Sequence, residues 1–324
     1  MWCSPLGEPD VILIGAAAVD LIARVDYLPK PDEIVLVKEF RVEPGGSTAN
    51  IAVALSRLGV KCSFIGKVGD DEYGRLLIES FQREGVDTSQ VIISKEGPTA
   101  KTFIAVDGKG ERIIFALGGK ALIESLDEVD LAFIGRGKVL YVSEAFPHIA
   151  LKIMKYAKDN KVIVVYGPGG IFASMGLKVL RDIIAQSDIL VLSERDLEKL
   201  IPNTASIEDS VKTLSSLGPE IVVVTLGKRG SLAYNRRENK LIFKEAFKVK
   251  AVDTTGAGDA FTAGLIFSIL QGLNLNQSLT LANAIAALKV QREGPRNSPY
   301  LEEVATFLKS QGMTDLALKL TEKI

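Results

Sequence analysis

Apolar and polar positions change their spacing several times along the chain, and each change marks an element. Residues 11–15, VILIG, are a short unbroken apolar run closed by glycine, which predicts a buried strand. Residues 34–42, IVLVKEFRV, alternate in part, as a half-exposed strand would. The stretch PGGSTANIAVALSRLG opens on Pro44-Gly45-Gly46 and carries apolar side chains at Ile51, Val53, Ala54, Leu55 and Leu58. That spacing predicts a glycine turn feeding an amphipathic helix that stops at Gly59. CSFIGKVGDDEYGRLLIESFQREGV then supplies another strand, glycine turn and helix.

Between 91 and 117 the pattern changes to strand after strand, VIIS, TAKTFIAVD and GERIIFAL, with Asp107-Gly108 as a hairpin signal. Strands joined by a tight turn pair antiparallel, so this block, together with 34–44, predicts a small sheet added to a larger body. Beyond Lys120 strand and helix alternate again. VLYVS, VIVVYG, ILVLS and IVVVTLG are short apolar runs, and amphipathic stretches such as IALKIMKYAKDN and MGLKVLRDIIAQS lie between them. This is the signature of an α/β fold with a mostly parallel sheet covered by helices on both faces. Ligands of such sheets bind beyond the carboxyl ends of the strands. The chain closes in helical patterns, GDAFTAGLIFSILQGL, NQSLTLANAIAALKVQ and LEEVATFLKSQG. No repeat or long linker interrupts it, so residues 1–324 are expected to form one unit, with 34–44 and 91–118 as its appendage.

Composition narrows the chemistry. With 47% hydrophobic and 24% charged residues and a formal charge of -1, the chain gives no reason to expect nucleic acid or an anionic membrane as partner. Any bound anion must be held by local geometry. Cys3 and Cys62 are too few for a disulfide framework or a cysteine zinc site, which fits a reducing cytoplasm. No secretory leader is expected, and no window reaches the ~18 apolar residues of a membrane span. His148 is the sole histidine, which excludes a multi-histidine metal site and argues against a serine-histidine triad. Within EAFPHIA it is expected to be a bystander in a loop or at a helix start.

The chemistry concentrates in AVDTTGAGDAFTAGL, residues 251–265. Free N–H groups at the start of the helix around Gly258 form a positive concavity, and glycine lets an anion come close to the backbone. Asp259 would stand in the first turn of that helix. Taken by itself it could be a cap, a metal ligand or a base against a substrate hydroxyl.

DTTGAGDAFTAG, together with PGGSTANIAVALSRLG and GKVGDDEYG, resembles the ribokinase (pfkB) family of carbohydrate kinases over residues 11–308. The family's signatures are a glycine-asparagine helix start near the N-terminus and D-T-x-G-A-G-D near the C-terminus. The resemblance implies ATP as phosphoryl donor with magnesium, Asp259 as catalytic base, and Gly256, Ala257 and Gly258 as an anion hole. Asp20, Gly45, Gly46 and Asn50 match its sugar-binding positions. A carboxylate plus an amide suits the vicinal hydroxyls of a sugar. On the donor side, Thr225, Gly227 and Gly230 of TLGKRG match the phosphate loop, with Lys228 its only well-placed cation, and Asn283 matches a position beside the adenine. The family often holds a monovalent cation near the anion hole. Asp253, Thr255, Val290, Gly294 and Ser298 fall at its ligand positions, several through carbonyls, and an oxygen-only shell suits potassium.

The sequence also departs from the pattern. Where the family carries N-x-x-E, this chain has Ser193-Glu194-Arg195-Asp196, which alters the groups that organise magnesium while leaving Ser193 at the nucleotide side. Ala18 stands where ribokinases proper often have Asn, and GGKA puts Lys120 where the family reads Asn. Lys101 occupies the lid strand in place of the arginine of phosphofructokinase members, which favours an unphosphorylated acceptor. The leading expectation is a kinase for a small sugar. A nucleoside kinase, with Phe40, Phe103 and Phe115 around a base, is the near rival, and a non-catalytic sugar-binding protein is the rival from another class. A dinucleotide oxidoreductase is poorer, since VILIGAAAVD lacks G-x-G-x-x-G. The small sheet is expected to close as a lid over the acceptor and to pair lid to lid in a homodimer.

Overall fold

The computed structural model describes residues 8–202 and 206–321. Its strands, in chain order, are β1 (Val11–Ile14), β2 (Ala18–Arg24), β3 (Glu39–Gly45), β4 (Cys62–Gly69), β5 (Val91–Ser94), β6 (Lys101–Val106) and β7 (Arg112–Gly118), followed by β8 (Val139–Val142), β9 (Ile163–Tyr166), β10 (Ile189–Ser193), β11 (Ile221–Thr225), β12 (Ser231–Asn235) and β13 (Lys240–Lys244). Nine of them form one sheet in the order β13-β12-β11-β10-β9-β8-β1-β4-β5. Every pair from β11 to β5 is parallel, and the β11–β12 and β12–β13 pairs at one edge are antiparallel.

Why β1 sits near the middle follows from its side chains. All four are buried, and they alternate between two cores. Val11 and Leu13 join the core under the helices Ser47–Arg57 and Ala257–Leu270, while Ile12 and Ile14 join the one under Pro147–Asp159 and Leu177–Gln186. A strand apolar on both sides must be covered on both sides. The chain leaves β1 to build β4 and β5 on one flank and returns to build β8 on the other, so the strand order reverses there. The crevice at this reversal is where open α/β sheets place their ligands.

The small sheet has the order β3-β2-β6-β7. It is mixed, because β2 pairs parallel with β6, whereas β2–β3 and β6–β7 are antiparallel. Two sequence expectations change here. Residues 91–94 were placed with the small sheet, yet they form β5 at the edge of the large one. The helix Glu72–Arg83 carries the chain back beside β4 as a parallel crossover, and spacing of apolar residues says nothing about which sheet a strand joins. Residues 34–38 were placed in a strand, but β3 begins at Glu39, and Ile34 and Leu36 are 91% and 84% exposed. Instead β2, which the apolar spacing did not mark, supplies the central strand. The Asp107-Gly108 hairpin does join β6 to β7.

Candidate active site

The exits of β1 and β8, the start of the Ser47–Arg57 helix and the start of the Ala257–Leu270 helix meet above the strand reversal. Gly45 closes β3 against Asp20 of β2. A Cβ on Gly45 would stand 2.2 Å from the Asp20 Oδ2, so only glycine lets the strand end lie over this carboxylate. Asp20 is 8% exposed and accepts a 2.5 Å hydrogen bond from the Thr102 hydroxyl on β6. Burial raises its pKa, while Thr102, Arg296 and Arg112 oppose that rise.

Asp259 occupies the first turn of the Ala257–Leu270 helix, whose cap, Gly256, is left-handed at φ 76°. A Cβ on Gly256 would also meet the Pro295 carbonyl at 2.4 Å. The turn is therefore closed to other residues by conformation and by space. The Ala257 N–H donates to the Thr254 carbonyl at 3.2 Å, while open space surrounds the Cβ position of Gly258 and leaves the helix start there accessible to an anion. Burial raises the Asp259 pKa, and the next contributions, hydrogen bonds from Ser47 and Asn50, lower it. The Ser47 hydroxyl donates to Oδ1 at 2.6 Å and the Asn50 amide donates to Oδ2 at 2.8 Å. Both carboxylate oxygens are thereby oriented.

Arg296 and Glu144 are among the groups of this site that the sequence does not mark. Arg296 lies in the loop after the Leu275–Lys289 helix and is 8% exposed. It donates to Asn50 Oδ1 (3.3 Å), to the Ser80 hydroxyl (2.7 Å) and to the Gly45 carbonyl (3.0 Å), and it stacks over Phe81. Burial pulls its pKa down to about 10, so it stays charged at neutral pH. Nothing in GPRNSP advertises a buried arginine. Glu144, at φ 40° just beyond β8, was missed as well. Burial and then the Asp259 charge push its pKa up to about 7, and its Oε2 is buried without a hydrogen-bond partner among the described residues. Its signal was the position itself, an acid at the carboxyl end of a central parallel strand.

The donor-side residues also converge. Ser193 and Thr225 are register partners at the carboxyl ends of β10 and β11. Gly227 and Gly230 follow in the turn before β12, where an ion pair joins Arg229 to Glu194 at 2.5 Å. Asn283 donates to the carbonyls of Lys244 and Glu245 at 3.2 Å each, and Gly230 packs against the same Lys244 carbonyl. Ser193 caps the Glu194–Leu200 helix and donates to Asp196 at 2.6 Å, which orients that carboxylate at the end of β10.

Other candidates separate from the centre. Lys120 pairs with Glu124 (2.9 Å) and Glu96 (3.7 Å), and Lys101 lies over the Tyr73 ring. His148 is exposed at the start of a helix, beside Phe146. Phe40, Phe103 and Phe115 are joined by register through Ala23 and Leu21, which alternate with Asp20 along β2, so they occupy the opposite face of the small sheet. Arg112 falls on the Asp20 face and reaches across to the Thr255 hydroxyl at 2.7 Å.

Of the residues matched to a monovalent-cation site, Asp253, Thr255, Val290 and Gly294 do come together. The Asp253 and Val290 oxygens are already engaged, however. Asp253 accepts the N–H groups of Thr255 and Gly294, both at 2.9 Å, and the Val290 carbonyl accepts those of Val252 and Asp253. The Ser298 carbonyl accepts from Arg57. An ion here would compete with these bonds and with the Lys289 ammonium, which donates to the Asp253 carbonyl at 3.0 Å.

Residues 8–302 match the model of the pfkB family carbohydrate kinases. The chain belongs to the pfkB family. This carbohydrate kinase is 33% identical over 301 residues to an ATP-dependent ribose-1-phosphate kinase of Halopiger xanaduensis, covering 92% of this chain and 97% of the relative. It is 31% identical to a 5-dehydro-2-deoxygluconokinase of Clostridium beijerinckii, covering 93% of each. Among solved structures, an Arabidopsis thaliana ribokinase complexed with ribose and ATP superposes with a TM-score of 0.83 at 28% identity, over 93% of this chain and 99% of that one. The pfkB kinase described here is thus a phosphotransferase acting on an alcohol group.

Proposed function

We propose that this protein transfers the γ-phosphoryl group of ATP, with magnesium, to a hydroxyl of a small sugar, with Asp259 as general base. The observation that carries the reading is the Asp259 carboxylate itself, desolvated, fixed on both oxygens by Ser47 and Asn50, and set at the open start of a helix. A base in this position takes the proton as the acceptor oxygen attacks, and its raised pKa brings it nearer to working pH. The Gly256–Gly258 turn receives the charge of the transferring group on backbone N–H groups, so rate comes from positioning and electrostatics. Asp20, Asn50 and Glu144 supply acceptors and a donor for sugar hydroxyls, while Ser193, Thr225, Gly227, Gly230 and Asn283 form the nucleotide side.

A second reading is that the sugar already carries a phosphate. It is favoured by Arg112, a cation on the Asp20 face of the lid that extends to Thr255 beside the anion hole. It also agrees with the sugar phosphate named for the Halopiger relative. A nucleoside acceptor is less favoured, because the three phenylalanines that would have lined a base pocket lie on the far face. That far face exposes Phe40 and Phe115 by 55% and 54%, which supports pairing of two lids in a homodimer. The deciding experiment measures ADP release from MgATP with ribose, ribose 1-phosphate, fructose, 5-dehydro-2-deoxygluconate and adenosine. Turnover with a sugar or sugar phosphate is the expected result. Binding of a sugar by calorimetry without turnover on any acceptor would overturn it.

A further inference from the structure

Lys289 ends the Leu275–Lys289 helix, and its side chain is 0% exposed. Its Nζ donates to the main-chain carbonyls of Asp253 (3.0 Å) and Arg292 (3.4 Å) and stands 4.0 Å from Asp253 Oδ2. An ammonium has three donors and no acceptor, so three surrounding oxygens match its capacity. A buried cation also requires an opposite charge close by, which Asp253 supplies.

These oxygens belong to the cluster where a monovalent cation was expected. The Asp253 carboxylate fixes the backbone at Thr255 and Gly294, and Val290 accepts from two N–H groups, so the charged ligand and one carbonyl of the cluster are already engaged within the chain. A free cation entering this cluster would be repelled by the ammonium that already holds the Asp253 carbonyl. The lysine is also placed to be felt by the chemistry. The main chain that it grips at Asp253 runs three residues later into the left-handed turn at Gly256.

We propose that the Lys289 ammonium is the resident cation of this cluster, fixing residues 253–256 and supplying positive charge behind the anion hole, so that the enzyme has no potassium requirement. The catalytic half of this inference rests on the kinase reading; the occupancy half does not. A charge attached to the chain is present at every salt composition, whereas a bound ion is present only in proportion to its concentration.

The test exchanges potassium chloride for choline chloride at fixed ionic strength, using the full chain, and reads melting temperature and ADP release with whichever acceptor of the panel turns over. The wild-type protein is expected to give the same melting temperature and the same rate in both salts. Lys289→Ala, which removes the ammonium and opens room for an ion, is expected to lose roughly tenfold or more in rate in choline. It should melt lower there and recover in both respects with potassium. Lys289→Met fills the same space without charge and should stay impaired in both salts. Activation or stabilisation of the wild-type protein by potassium would overturn the proposal, whether or not either variant folds. So would a folded Lys289→Ala indifferent to the salt. Absence of turnover on every acceptor would sink the kinase reading while leaving the melting comparison to decide occupancy.

Discussion

The amide of Asn50 can point only one way: its Nδ2 donates to Asp259 Oδ2 at 2.8 Å while its Oδ1 accepts from Arg296 Nε at 3.3 Å. A guanidinium cannot accept and a carboxylate cannot donate, so reversing the amide would break both bonds. Arg296 therefore acts on Asp259 through Asn50. With Arg296→Met, the Asn50 donor is no longer held toward Asp259, and the Asp259 pKa rises further. The acid limb of kcat/KM should move to higher pH while the fold persists. The pH-rate profile measures this, and an unshifted limb would count against the coupling.

Asp259→Asn should reduce kcat by about 10²- to 10⁴-fold, the contribution typical of a positioned base, with nucleotide affinity largely kept. Its effect on stability should have the opposite sign. A carboxyl whose folded pKa is raised contributes stability below its unfolded pKa and loses it as pH rises through the folded value. Asn carries no such charge, so the variant should melt above the parent at neutral pH and lose that advantage under acid conditions. Thermal melts across pH, alongside single-turnover rates, check both halves.

Glu144 gives a narrower window. Its pKa is raised from 4.5 to about 7, so its protonated form favours the fold below about pH 4.5, and that contribution fades as pH climbs through about 7. Glu144→Gln should flatten the fall in melting temperature between those limits. A parallel shift of the whole curve would show that the glutamate does not titrate there.

The lid meets the body through Glu293, which pairs with Arg24 at 3.1 Å and Arg41 at 3.2 Å. These groups are well exposed, and such pairs contribute little to stability. Glu293→Ala should leave the melting temperature nearly unchanged yet raise the acceptor KM at low ionic strength. Added salt should narrow the difference, because screening weakens the parent's own contacts.

Exposed Phe40 and Phe115 lead to an assembly test. Phe115→Asp should convert a dimer to a monomer in sedimentation at micromolar concentration. A parent protein already monomeric there would remove the lid-to-lid reading.

What the sequence disclosed, and what it hid, divides along physical lines. The central strands were legible because burial on both faces leaves continuous apolar runs, as in VILI and VLYV. The Ser47–Arg57 and Ala257–Leu270 helix starts were legible because glycine marks places where side chains cannot go. By contrast, β2 was hidden because Asp20, buried at the site, interrupts the alternation that identifies a strand. VIIS was read as a strand but assigned to the wrong sheet, since pairing partners are set by chain path and not by local spacing. Arg296 and Lys289 were invisible because their burial depends on partners more than two hundred residues away in one case and on two loop carbonyls in the other.

Asp20 rides on β2 of the small sheet, whereas Asp259 is anchored in a helix of the large body. On the proposed roles, acceptor recognition and phosphoryl transfer are carried by different stretches of chain, linked through Asn50, Arg296, a few ion pairs and the packing of Val19 into the body's core. If Asp20 holds the acceptor as proposed, substitutions in β2, β6 and β7 would redraw which alcohol is accepted while the 253–259 turn remains untouched. On that reading the same scaffold would serve new metabolites by changes confined to one small sheet, without relearning how to move a phosphoryl group.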